Sequence, residues 1–221
     1  MSLRAPLLLA ALAVLMAAAV TGCGRGHPDR PAATAAVNPT AAPAAAQWQS
    51  YRGVFVPYTD AGPSRVSGAA PTGYQDTPQG AVVAAMQGQA RLALAPNDAG
   101  AASPTDAWAL VAATVTAPGT GHDAYSTARV LGSITAEADP ATTAQFAGFR
   151  IQDWSPGSVT VWLATRMPPT GQLQAQPTRL VWLGGDWKIA LSAPPPPDSA
   201  GRVSTDPIDL ANLNGYTEFH H

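Results

Sequence analysis

The chain has 221 residues, a formal net charge of −2, 12% charged residues and one cysteine. Near-neutral charge, with Lys188 as the only lysine, excludes the broad basic surface that direct nucleic-acid binding needs. The single cysteine excludes an intramolecular disulfide framework and zinc sites built on paired thiolates. With 46 alanines, larger apolar side chains make up about a quarter of the chain, enough for one domain plus appendages.

Residues 1–23 read as an export signal. Arg4 is the only charge, and Ala5 to Val20 form an apolar run of 16 residues, shorter than the roughly 20 of a stable transmembrane helix. Val20-Thr21-Gly22-Cys23 follows and resembles the lipobox of bacterial lipoproteins. There the cysteine thiol takes a diacylglyceryl group, and small neighbours let the backbone fit the processing peptidase. Two acyl chains are enough for stable anchoring. The expected partner is therefore the membrane, through lipid on Cys23, at the extracytoplasmic face. The alternatives are a soluble product cut near Ala17-Ala18-Ala19 and an uncleaved anchor.

Residues 24–46 form an Ala/Pro-rich tether with almost no large apolar side chain, too poor in burial to offset its ordering entropy. His27 lies in it as a solvated residue. Residues 47–193 are the expected domain. Trp48 to Tyr58 is an extended, aromatic-rich segment, and glycines and prolines then punctuate a loop to Tyr74. Thr77-Pro78 marks a helix start, a hydroxyl cap followed by proline at the first position. Val82, Met86 and Ala90 on one stripe carry this helix for about 17 residues, until Pro96-Asn97 ends it. Thr105-Asp106 is a second cap. The run from Trp108 reads as a helix, although Val111, Thr114, Val115 and Thr116 also suit a strand. Asp123 to Leu131 is a short third helix, with Asp123 as its cap and Tyr125 and Val130 or Leu131 facing inward.

The second half changes period. Phe146, Phe149, Ile151 and Trp154 precede the turn Ser155-Pro156-Gly157, and Val159, Val161 and Leu163 alternate after it, a β-hairpin. Leu180 to Leu183, Gly184-Gly185 and Trp187 to Leu191 form a second hairpin. Pro194 to Pro197 stops the sheet, and residues 194–221 form a Pro-rich C-terminal tail whose Ile208, Leu210, Leu213, Tyr216 and Phe219 either fold back on the domain or stay loose. Helices first and antiparallel strands afterwards predict an α+β domain: two or three helices on a curved antiparallel sheet of about four strands. Its concave face is the place where Trp154, Trp162, Trp182 and Trp187 would stand.

Gly62-Pro63, Gly73-Tyr74, Thr77-Pro78-Gln79-Gly80-Ala81, Trp108, Pro118-Gly119-Thr120-Gly121, Asp123-Ala124-Tyr125 and Gly185-Asp186-Trp187 together carry a resemblance. Over roughly residues 48–193 they resemble an uncharacterised domain of exported proteins in high-GC Gram-positive bacteria. That domain is in turn similar to the nuclear-transport-factor-2-like superfamily and to assembly domains of conjugative and type IV secretion machines. The resemblance implies a cystatin-like cone and an envelope-side scaffold or accessory role, here on a lipid anchor in place of a transmembrane helix. It brings no catalytic residues with it.

His122-Asp123 is the only adjacent acid–base pair of the domain, and proton abstraction would need both side chains to converge in a pocket. Sequence neighbours usually diverge, so no catalytic residue is assigned. No serine stands in a Gly-x-Ser-x-Gly context, and no histidine–carboxylate spacing indicates a metal, so neither metal nor cofactor is expected. His220-His221 is a tail. The tryptophans Trp154, Trp162 and Trp182 are the candidate ligand-binding residues, against the alternative that they simply pack a core short of large side chains. Arg150 and Arg166 are either solvated edge residues or contacts for a partner's carboxylate. The expected function is a non-catalytic envelope scaffold with an unidentified protein partner. Its rivals are a binding module for a small apolar ligand or wall fragment, and a dehydratase- or isomerase-like enzyme using His122.

Overall fold

The computed structural model of the chain describes residues 37–96, 107–132, 138–193 and 207–220. The leader, Cys23, His27 and the tether to residue 36 lie outside the described residues, as do Thr105-Asp106, Pro194 to Pro197 and His221.

Helix α1 (Pro78–Leu94) starts as its sequence dictates: the Thr77 hydroxyl accepts the Gly80 N–H at 3.1 Å and Pro78 takes the first position. Of its 17 residues, 13 are buried, which makes it the axis of the domain and not a surface helix. Small residues permit this. A Cβ at Gly88 would lie 2.6 Å from Ile189 Cδ1, so glycine lets the helix and the sheet come this close without moving the end of the Ile189 side chain.

Against α1 packs a hairpin of β1 (Gln47–Tyr51) and β2 (Val54–Tyr58). The sequence pointed to one extended segment here. Instead Arg52 and Gly53, with φ of 49° and 90°, close a two-residue turn whose twist suits the strands. Gln87 Nε2 donates to Pro57 O at 2.7 Å, and the Arg91 guanidinium lies 4.3 Å from the centre of the Tyr51 ring, so the hairpin is locked to the helix. Residues 37–46, expected as tether, run along the domain: Gln79 Nε2 donates to Asn38 O and Ala41 O, and Thr217 Oγ1 to Thr40 O.

Helix α2 (Trp108–Val115) resolves the helix-or-strand ambiguity in favour of helix, and Thr116 then makes an isolated parallel bridge to Ile189. Lys188 Nζ donates to Thr114 O at 2.6 Å, a cation on the helix's C-terminal carbonyls. Helix α3 (Thr120–Leu131) begins earlier than expected, after Gly119. Asp123 is therefore a first-turn residue and not the cap. Val130 and Leu131 are 72% and 86% exposed, which overturns their inward placement; Tyr125 and the buried Arg129 face the domain instead.

The main sheet is antiparallel: β3 (Gln145–Ser155), β4 (Ser158–Arg166), β5 (Leu173–Leu183), β6 (Asp186–Ile189), β7 (Ile208–Leu210) and β8 (Thr217–Glu218), in the order β6-β5-β4-β3-β8 with β7 also on β5. The two expected hairpins supply four strands. The tail adds two more, so the sheet has six and residues 207–220 are part of the domain.

Alternation along the strands sorts the two faces. Phe149, Val161, Leu163, Leu180 and Ile189 pack with α1 in the main core. On the other face Ala147, Ala164, Leu173 and Ala175 form a small-residue floor for Leu213. Because β7 pairs with one edge of the hairpin pair and β8 with the other, the chain between them straps across that floor.

Candidate functional site

The structure gathers Trp154 and Trp182 around Trp187 and leaves Trp162 on the other face of the sheet. Trp154 and Trp182 both contact buried Trp187, at ring-centre distances of 5.8 and 5.3 Å, on the helix side of the sheet. Trp162 stands on the strap side, opposite Arg150 in the β3–β4 register, where its Nε1 donates to Gln152 Oε1 at 2.8 Å. The exposed Arg150 guanidinium lies over the Trp162 and Tyr216 rings, 5.5 and 5.4 Å from their centres. Exposed Arg166 ends β4, opposite Leu173.

A cleft of about 610 Å³ lies elsewhere, and none of the three candidate tryptophans lines it. Its origin is a gap in strand pairing. β6 covers β5 from Leu180 to Leu183 and β7 covers Leu173 to Ala175, so the stretch between them has only β4 beside it. Arg179 O accepts the Ala190 N–H at 2.9 Å on the β6 side. By strand alternation the backbone of Pro177 points the same way, and proline has no N–H to leave unpaired there.

Three walls enclose the gap. Gly121, Ala124 and Ala128 present the small-residue stripe of α3. Gly121 has no room to change: a Cβ there would sit 2.0 Å from Leu191 O. The exit of β6, Ile189 to Ser192, forms the second wall, and Gln89, Gln176 and Thr178 form the floor. Gln89 Nε2 donates to Thr178 Oγ1 at 3.1 Å, whereas the Gln176 side chain makes no hydrogen bond with the described residues. Tyr125 lines the cleft with its ring while its hydroxyl donates to Leu92 O at 2.7 Å. Burial raises the Tyr125 pKa, with the Arg129 charge partly opposing, so it stays a neutral donor at physiological pH. Gln89 and Gln176 also border a second cavity of about 270 Å³, whose other walls include Val54, Ala90, Leu94 and Phe146.

His122 does not line the cleft. Thr116 Oγ1 donates its one proton to Ala112 O, so His122 Nδ1, 2.6 Å away, is the donor to that oxygen. Asp123 is exposed beside it and does not converge with it. The cleft lining holds no carboxylate, imidazole or thiol, so it can bind but has no acid–base pair for proton transfer. Among the described residues, no three His, Cys, Asp or Glu side chains group as metal ligands.

The residues of the cleft were not singled out in the sequence, because the first half of β5, Leu173 to Arg179, is polar and contains a proline. Pro177 was the available signal, since proline within a strand marks a free edge. Among the described residues no helix is long and apolar enough to cross a membrane. No curated protein and no solved structure matches the chain. A family match spans residues 15–218, nearly the whole length, and the chain therefore belongs to the family described as domain of unknown function DUF8175.

Proposed function

We propose that this chain is a non-catalytic binding module held at the extracytoplasmic face of the membrane through lipid on Cys23, with the cleft at the free edge of β5 as its ligand site. The observation that carries the reading is the 610 Å³ cleft, within the roughly 300–1,000 Å³ range of small-molecule sites and lined by hydrogen-bonding groups, Arg179 the one charged among them, between apolar walls. A cone-like wrapping of the sheet around α1 would hold the cleft open at its wide end. The lipid would keep the site near the bilayer, and the tether would set its reach.

Mass spectrometry of molecules extracted from the purified chain tests this directly. The wild-type chain is expected to carry a small molecule that Ala124→Phe, which fills the cleft, loses while unfolding at the same temperature. A ligand retained by Ala124→Phe, or none in either protein, rejects the reading.

A second reading keeps the module as a scaffold for an envelope assembly, such as a conjugative or type IV-like machine. It is favoured by Arg150, held over two aromatic rings with no ion pair among the described residues, as an exposed contact for a partner's carboxylate. Charge reversal at Arg150 distinguishes the two, since it weakens a protein contact and leaves occupancy of the cleft unchanged.

A further inference from the structure

We infer that the ligand of the cleft is a single-headed acidic amphiphile, its carboxylate on Arg179 and its unbranched tail passing Gln89 and Gln176 into the second cavity. The inference rests on the binding reading above and adds the ligand's class. Three observations carry it.

The first is charge. Among the described residues lining either cavity, Arg179 is the only charged one. It is exposed at the rim and has no ion pair among the described residues. An unpaired guanidinium presents a planar fork of donors that fits one carboxylate, and no second described cation lines either cavity to favour a dianion.

The second is the order of surfaces inward from that rim. Ala124, Ala128, Ile189 and Leu191 give the first cavity its apolar wall, and Val54, Ala90, Leu94 and Phe146 give the second its own, with Thr143, Thr165 and Gln174 as the other polar side chains there. A sugar or a polar peptide would leave its hydroxyls or amides facing these apolar side chains, which is unfavourable. A hydrocarbon tail would not.

The third is the waist. Gln89 and Gln176 border both cavities. Gln89 is held by Thr178, but the Gln176 side chain turns aside without breaking a hydrogen bond to any described residue. The two cavities then become one path with its charge at one end and Val54, Ala90, Leu94 and Phe146 at the other.

Photo-crosslinking on the full chain in its own membranes tests the inference. The probes are a dodecanoic acid carrying a diazirine at its tail end and the matching alcohol. Label from the acid is expected on peptides holding Leu94 and Phe146. Competing unlabelled acids should gain about fourfold in potency per added methylene until the far cavity is full. Arg179→Gln should lower labelling by the acid about tenfold and leave the alcohol unchanged. Gln176→Phe should move label out of the far cavity.

Equal labelling by acid and alcohol, or an acid indifferent to Arg179→Gln, overturns the headgroup assignment. No label at Leu94 or Phe146 overturns the path. Neither result touches the cleft reading, which fails if Ala124→Phe leaves the extracted ligand in place or if neither protein carries one.

Discussion

The Asp186 carboxylate accepts the backbone N–H of Tyr74 across 112 residues of chain, Oδ1 to N at 3.1 Å. Its other oxygen accepts from Gly73 at 3.0 Å, and Oδ1 also takes the N–H of Trp187 at 3.0 Å. Asp186 is 4% exposed, with Lys188 Nζ 3.8 Å away as its cation. One acid at the β5–β6 turn thus pins the loop that leads into α1. Asp186→Ala leaves buried N–H groups without an acceptor and should cost about 3 kcal/mol. Urea unfolding reads it, and a loss under ~0.5 kcal/mol would show that the clamp is incidental.

Tyr74 sets an alkaline limit. Burial holds its hydroxyl well above the ordinary value of 10, with Asp186 adding to the rise and Arg91 opposing it. Below pH 10 the hydroxyl is protonated in both states and its contribution is complete. Above pH 10 the unfolded chain releases the proton and the folded chain keeps it, so stability falls by up to ~1.4 kcal/mol per pH unit. Tyr74→Phe should lose about 1 kcal/mol at neutral pH, because the 3.2 Å bond to Pro71 O goes, yet unfold less steeply above pH 10. Parallel unfolding curves against pH for the two proteins would refute the assignment.

Leu213 is the rivet of the C-terminal strap, 8% exposed on a floor of Ala147, Ala164 and Ala175. Leu213→Ala should destabilise by about 2–3 kcal/mol and expose residues 207–220 to limited proteolysis before the rest of the domain. Filling the floor from below, with Ala164→Leu, should release the same segment. A strap that stays protease-resistant in both variants contradicts this account.

Anchoring has its own test. Cys23→Ala should leave the chain untrimmed or released from the membrane, with the unfolding temperature of the domain unchanged. Fractionation with mass spectrometry of the mature end decides it. A trimmed Cys23→Ala chain still sedimenting with membranes would defeat the lipid-anchor proposal.

How much of this was legible beforehand follows from the range of the forces involved. Thr77-Pro78 placed the start of α1, and Ser155-Pro156-Gly157 and Gly184-Gly185 placed both hairpin turns, since caps and tight turns are settled within four residues of chain. Alternation after Gly157 placed the core face of β4. Arg52-Gly53 carries a turn signal of the same kind.

Burial of small and polar residues was not legible. Val130 and Leu131 look like core side chains and face solvent, whereas Arg129 and Gln87 are buried, because the docking angle of each helix is set by its neighbours. The Ile208 to Thr217 segment became two strands and a strap only because the four-stranded sheet left both edges and an alanine floor to occupy.

The amino-acid order alone determined the three helices, the two hairpins that follow them and the turns between them, all of which depend on contacts a few residues apart, but it missed the hairpin that precedes α1. Only the tertiary structure decided where a cleft opens. That depended on β6 and β7 covering different parts of β5 and on α3 offering Gly121, Ala124 and Ala128 to the gap, placements fixed by packing between segments some fifty residues apart.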